Sequence, residues 1–331
     1  VAGAQHGQGN RLAPAAPTSR HPLTAGFVPR KRANVSTRTE PTLTPEQLVA
    51  ELVLLFDLEP RGADRFVGHR LKGGNGRVFG GQAIAQALVA ARRTVPDDRS
   101  VHSLHAYFLR GGSDALPIDL RVKRDLDGRS FSNRRVVASQ QGEPILNLTT
   151  SFQKHQDGPE HQYPQMPDVP PPEDLEPDAV VRARIAAELP EGPLRDFFLR
   201  PRPIDFRSVQ RRDWLDPQKR EPCAHCWFRT VAPLPDLSRI HVAVLAYASD
   251  FQLLATALQP HGLSYPRGDV KGASLDHAIW FHGDFRADDW LLYATDSPWS
   301  GRARGFGRGQ IFTRDGRLVA SVAQEGMIRL P

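Results

Sequence analysis

Several groupings of side chains in this sequence have types and spacings that could do chemistry. Cys223-Ala224-His225-Cys226 is a C-x-x-C with an internal histidine, the arrangement of a zinc site or a redox pair. Structural zinc needs two further ligands at sensible spacing, and these are the only two cysteines, so ordinary residues on a strand edge are the better reading. Gly73-Gly74-Asn75-Gly76 followed by Gly80-Gly81 imitates a phosphate-cradling loop. It lacks Gly-Lys-Ser/Thr and a leading hydrophobic strand, which makes it a turn. Gly128-Arg129-Ser130-Phe131-Ser132 and Gly272-Ala273-Ser274-Leu275-Asp276 approach a serine nucleophile elbow, but each misses the closing glycine. His102, His105 and His277 lie in strand-like stretches, where a half-buried histidine with a backbone partner is the common case. His277, beside Asp276, alone offers an acid/base pair.

Such groups need a scaffold, and composition bounds it. The chain has 331 residues, 40% hydrophobic and 24% charged, enough for about two globular domains. No apolar run approaches the ~20 residues of a membrane span. The net charge of +6 is misleading, because Arg11, Arg20, Arg30, Lys31, Arg32 and Arg38 meet no acid before Glu40, and the rest balances at 37 basic and 37 acidic residues. Residues 1–43 therefore read as a disordered basic tail rich in Pro, Ala, Gly and Ser, and a nucleic-acid partner is not expected. A transit peptide is the alternative reading of an Arg-rich, acid-poor start, although the prolines oppose the amphipathic helix it needs. Two cysteines make no disulfide framework, which fits a reducing, cytoplasmic setting.

The first ordered element should start at Thr44-Pro45-Glu46-Gln47, a capping hydroxyl with Pro at the first helical position and Gln at the third. Leu48, Leu52, Leu55 and Phe56 then recur at helical spacing. Between Ala83 and Ala91 only Gln86 is polar, so this second helix must be buried on most sides. Strand-like segments follow at Val101–Leu109, Ile118–Arg124, Phe131–Gln140 and Ile145–Lys154. Arg110-Gly111-Gly112, Asp127-Gly128 and Gln141-Gly142 separate them with the spacing of an antiparallel meander. A buried helix and such a sheet make an α+β domain at 44–155. Residues 156–203, crowded with proline, read as a linker holding a short helix at Asp178–Leu189.

The remainder, 204–331, repeats the first half. Tyr247–Gln259 predicts another short, almost uncharged helix, stopped by Pro260. Leu275–His282 parallels Ser103–Leu109, and Arg304–Gly326 parallels Arg129–Gln153, with Phe131 matching Phe306 and Gly142 matching Gly316. Nearly constant offsets in the same order point to two copies of one domain, a pseudo-dimer.

The segments Arg77-Val78-Phe79-Gly80-Gly81-Gln82, His102 to Arg110, Asp127-Gly128-Arg129-Ser130-Phe131, Leu258-Gln259-Pro260-His261-Gly262 and Gln324-Glu325-Gly326 carry a resemblance. From about Glu46 to Leu330 the chain resembles the bacterial thioesterase II and peroxisomal acyl-CoA thioesterase family. The resemblance implies a double hot-dog fold, two copies of a long helix wrapped by an antiparallel sheet. It also implies hydrolysis of acyl-CoA thioesters by water activated at an Asp, a Ser/Thr hydroxyl and a Gln, without metal or added cofactor. Motif by motif, these are Asp250, Ser274 and Gln324, all in the second copy.

On that basis Asp250, at the start of a buried helix, would be the general base, with Ser274 and Gln324 positioning the water. Gly80-Gly81-Gln82, at the start of the other helix, could bring Gly81 and Gln82 to the substrate and stabilise the oxyanion. Coenzyme A carries phosphates, and the glycine-rich loop Ser300–Gly309 offers Arg302, Arg304 and Arg308, with Arg129, Arg134 and Arg135 as counterparts. Two rivals stand beside this: a hot-dog hydratase or dehydratase using His277 with Asp276, and a non-enzymatic acyl-CoA sensor. Packing of outer sheet faces would make the protein a homo-oligomer.

Overall fold

The computed structural model describes residues 43–70, 76–210 and 213–331. The basic tail up to Thr42 and Gly73-Gly74-Asn75 lie outside them. Helix α1 (Pro45–Leu54) begins with the full capping box, Thr44 and Gln47 each bonding the other's backbone N–H. Two short strands, β1 (Glu59–Pro60) and β2 (Arg65–Gly68), lead to helix α2 (Gly80–Arg92). It is buried nearly all round. Its Ile84 and Leu88 contribute about 1.5–3 kcal/mol each by leaving water.

Strands β3 (Arg99–Phe108), β4 (Ile118–Asp127), β5 (Phe131–Gln140) and β6 (Glu143–Lys154) follow. The β5–β6 turn places Gln141 and Gly142 at φ 52° and 85°, the left-handed pair that a two-residue hairpin requires. The meander is confined to β4, β5 and β6, which corrects the sequence expectation for β3. Strand β3 pairs with β6, not with β4. The connection after β3 is a crossover rather than a hairpin. Gln140 ties it down, accepting from Ser113 N–H at 2.8 Å and donating to the Ser113 and Leu116 carbonyls.

The proline-rich stretch holds α3 (Asp178–Ala187), as expected, and a further helix, α4 (Pro193–Leu199). Then come β7 (Ile204–Ser208), β8 (Cys223–Thr230) and α5 (Ser238–Ala248). The second long helix thus begins nine residues before the expected Tyr247. It does not run on to Gln259: a 3-10 turn at Ser249–Phe251 breaks it before the single turn α6 (Leu253–Thr256). The Tyr293 hydroxyl donates to the Ser249 carbonyl at 3.0 Å, taking an acceptor that a continuous helix would use. The apolar run Ser238–His261 is long enough to cross a membrane by length alone, yet most of it is buried inside the protein.

Strands β9 (Lys271–Ser274), β10 (Asp276–Phe281), β11 (Leu291–Gly301), β12 (Arg304–Thr313) and β13 (Leu318–Arg329) complete the chain. All strands form one antiparallel sheet ordered β1-β2-β4-β5-β6-β3-β10-β13-β12-β11-β8-β7, with β9 beside the end of β13. The order is palindromic. Each half presents the same sequence of strands toward a centre where β3 meets β10, with Ala106 opposite His277. Each half-sheet curves round its own helix, and α2 and α5 meet between them.

Candidate active site

The break after α5 places Asp250 beside the first turn of α2. Gly81 N–H donates to Asp250 Oδ2 at 2.9 Å, so a carboxylate from one half caps the helix N-terminus of the other. Two glycines make the approach possible. A Cβ on Gly80 would lie 2.6 Å from Asp250 Oδ2, and one on Gly81 would lie 2.3 Å from the Tyr247 carbonyl oxygen. Phe79, Tyr247 and Phe251 close round the contact, the Phe79 and Phe251 rings 4.4 Å apart. The sequence expectation that Asp250 starts a helix is corrected: it sits in the 3-10 turn between two helical pieces.

Ser274 and Gln324 arrive from the sheet. Ser274 lies opposite Gly326 and Gln324 opposite Gly307, and residues 324 and 326 of β13 both face inward, so the two side chains share the face that carries α5 and α6. Gln324 Nε2 donates to Ser274 Oγ at 2.6 Å. Both residues help to stabilise the ionised Asp250, although neither closes a hydrogen bond of ordinary geometry on Oδ1. That oxygen is sealed from solvent and has no partner. Burial pushes the Asp250 carboxyl up to about 7, against the opposing pull of Gly81 N–H, Gln324 and Ser274. A carboxylate that titrates near neutrality is suited to take a proton and give it back.

The structure brings together Asp250, Ser274, Gln324 and the backbone of Gly81. The Gln82 side chain instead donates to the His69 carbonyl at 3.1 Å and serves the fold. The three arginines of the β11–β12 hairpin are not at this site. Arg304 and Arg308 lie opposite Met327 and Ala323, on the sheet face away from Gln324. Arg308 forms a two-pronged pair with Asp296 at 2.8 Å, and Arg304 faces Glu325 and Trp299. Arg302 occupies the tight turn itself at φ 49°. The glycines between them serve packing: a Cβ on Gly307 would sit 2.9 Å from the Leu253 carbonyl oxygen, and one on Gly305 would sit 2.7 Å from Ala257 Cβ. Gly307 has no side chain because α6 lies directly on it, and Gly309 has none because the Tyr293 ring does.

The strand histidine His277, which the motifs offered only as a partner for Asp276, has other neighbours. It is fully buried, its Nδ1 is 2.5 Å from Gln324 Oε1 and its Nε2 is 2.9 Å from Ser249 Oγ. Burial holds it well below the usual imidazole range, at about 4, so it is neutral. Asp276 points to the other face and accepts from Glu325 N–H at 2.6 Å. Strand alternation separates the two, so they form no acid/base pair. Of the C-x-x-C cysteines, Cys223 is exposed and Cys226 is buried, its thiol donating to the Trp227 carbonyl at 3.3 Å.

Two helices, each wrapped by half of one palindromic antiparallel sheet, define an α+β protein of the double hot-dog class. Comparison with known proteins carries this further. A family model described as acyl-CoA thioesterase matches residues 196–327, and one described as acyl-CoA thioesterase N-terminal domain matches residues 70–153. Acyl-CoA thioesterase 2 of Haemophilus influenzae is 40% identical over 279 residues, covering 84% of this chain and 95% of that protein. Human acyl-coenzyme A thioesterase 8 is 39% identical over 291 residues, covering 83% and 88%. The crystal structure of an acyl-CoA thioesterase II from Mycobacterium marinum superposes with a TM-score of 0.68 at 42% identity, covering 84% of this chain and 97% of that one. The chain belongs to the acyl-CoA thioesterase family.

Proposed function

We propose that the acyl-CoA thioester hydrolysis which family membership assigns to this chain proceeds through water activated at Asp250. The observation that carries the reading is the partnerless, buried Oδ1 of Asp250, next to Ser274 and Gln324 and held by Gly81 N–H through the other oxygen. A water bridging Oδ1, the Ser274 hydroxyl and the Gln324 amide would have a lone pair left for the thioester carbonyl carbon. As the C–O bond forms, Asp250 takes the water's proton. The C–S bond then breaks, and the same proton passes to the departing coenzyme A thiolate. The positive end of α2 faces the negative charge throughout.

In this reading, residues 44–155 and 204–331 are the two hot-dog domains and 156–203 the linker between them. The protein works in the cytoplasm as a homo-oligomer, associating through the outer sheet face where Tyr107 and Trp280 are exposed. Light scattering that gave a monomeric mass would remove that element. The hydratase alternative loses its acid/base pair, because His277 and Asp276 face opposite ways. The deciding experiment is thiol release from acyl-CoAs of increasing chain length by the wild type and Asp250→Asn. The variant should lose about 10²-fold or more in kcat, the range of general-base removal. Unchanged turnover would reject Asp250 as the base.

A further inference from the structure

Four side chains form a hydrogen-bonded relay, of which the hydrolytic reading leaves Ser249 and His277 unused. Ser249 Oγ lies 2.9 Å from His277 Nε2, His277 Nδ1 lies 2.5 Å from Gln324 Oε1, and Gln324 Nε2 lies 2.6 Å from Ser274 Oγ. Ser249 and Asp250 are neighbours in the same 3-10 turn, so the relay leaves that turn through β10 and β13 and returns to it from β9. Ser249, His277 and Gln324 are all buried, and each bond is made where water cannot replace it.

The relay can run in two directions. In the first, Ser249 O–H turns from the Ala246 carbonyl, 3.0 Å away, to Nε2, Nδ1–H donates to Gln324 Oε1, and Gln324 N–H donates to Ser274, whose own hydrogen is then free. In the second, the Gln324 amide is turned over and the Ser274 hydrogen is spent on Gln324, leaving oxygen lone pairs toward Asp250. An ionised Asp250 repels lone pairs and favours the first direction, which is the direction of the Gln324 amide in the structure. A neutral imidazole has one N–H, and with the Gln324 amide in this orientation it must stand on Nδ1 to give Oε1 a donor.

We propose that His277 is a positioning residue for water activation: its Nδ1–H locks the Gln324 amide with Nε2 toward Ser274, and so aims the Ser274 hydroxyl hydrogen at Asp250 and leaves a Ser274 lone pair to accept from the water. The proposal rests on the hydrolytic reading above and adds a residue that touches neither substrate nor water. His277 does not titrate in the working range and transfers no proton. Its contribution is to fix which end of an amide faces the site. The titratable side chains that feel the charge of Asp250 are Tyr247 and Tyr293, both held above the usual phenol range by burial, so neither obscures the Asp250 titration.

The test compares His277→Phe, His277→Asn and His277→Gln with the wild type and Asp250→Asn, using kcat, KM and pH profiles with one saturated acyl-CoA. Phenylalanine fills the space without a donor, so kcat should fall about tenfold or more with KM nearly unchanged. The acid limb of kcat/KM should move about one unit to higher pH, because the anion loses a hydrogen bond. Asparagine puts an amide N–H where Nδ1–H stood and should restore both the rate and the limb. Glutamine places its amide one bond further out and should not. If the phenylalanine variant does not fold, the asparagine and glutamine pair decides alone. A wild-type limb and rate in all variants, or equal impairment of all three with an unmoved limb, would overturn the proposal. Should Asp250→Asn turn over like the wild type, the hydrolytic reading itself fails, whatever the His277 variants do.

Discussion

Gly81 and Asp250 are 169 positions apart and belong to opposite halves of the molecule, yet the amide of one donates to the carboxylate of the other at 2.9 Å. Only one carboxylate oxygen is used, and burial wins over that bond in setting where the group ionises. A base that titrates at about 7 gives a defined pH–rate profile. Below that value kcat/KM should fall about tenfold per pH unit, and above it the rate should level off. His277, held at about 4, adds no second limb in this range. A profile flat from pH 5 to 8 at constant ionic strength would show that no group of this kind limits the reaction.

The same burial predicts a stability cost that grows with pH. Asp250 ionises in the folded protein at about 7, above its ordinary 3.8, so the folded state keeps a proton that the unfolded chain gives up. Its favourable contribution is whole below pH 3.8 and is lost as pH rises through about 7. Asp250→Asn carries no such penalty and should be the more stable protein at pH 8, by roughly 4 kcal/mol as an upper bound. The advantage should be much smaller at pH 5. Thermal melts at both values check this, and a variant destabilised equally at each would contradict it.

Strand β12 separates packing from charge within a few residues. Gly307→Ala would drive a Cβ against the Leu253 backbone, which cannot swing aside, and should cost about 1–3 kcal/mol. It should lower activity as well, because α6 follows directly on the turn that holds Asp250. Arg308→Ala removes an exposed pair with Asp296 and should change stability by less than about 1 kcal/mol. Its KM for acyl-CoA should stay at the wild-type value, since Arg308 faces away from Gln324. A large rise in KM for Arg308→Ala would return that arginine to the substrate's phosphates.

What the sequence disclosed and what it withheld follow from the range of the interactions. The β4, β5 and β6 strands and their turns were legible because alternation and Gly142 act over a few residues. The capping box at Thr44 was legible for the same reason. The start of α5 at Ser238 was not, since Leu237 supplies no side-chain cap, and the break at Ser249–Phe251 depends on Tyr293, 44 residues away. The pairing of β3 with β6 and β10 is likewise decided by partners far along the chain. Asp250, Ser274 and Gln324 could be named from motifs, but their shared face is a matter of strand register. His277 resembled any buried strand histidine until both its ring nitrogens had partners.

Arg134 shows how one sheet position is used differently in the two halves. By the Phe131–Phe306 match it corresponds to Gly309, where the second half leaves room for the Tyr293 ring. In the first half a fully buried guanidinium fills the space. Its Nε donates to Thr94 Oγ1 at 2.9 Å, Nη2 to the Thr94 carbonyl at 3.0 Å and to Asp127 Oδ1 at 2.6 Å, and Nη1 to the Leu126 and Asn133 carbonyls at 2.9 Å each. Thr94 follows the C-terminal end of α2, so the positive charge meets the negative end of that helix. Arg134→Met should cost about 3–5 kcal/mol, because it strands buried carbonyls and removes the charge that Asp127 faces. Lysine should recover less than half of this, since one ammonium cannot span acceptors on both sides of the planar fork. Activity of the molecules that remain folded should be unaffected, because Arg134 braces the end of α2 opposite Gly81. Urea titrations of the two variants, with kcat measured in the folded baseline, separate these effects, and a loss below about 1 kcal/mol for the methionine variant would mean that the fork is not holding the helix end.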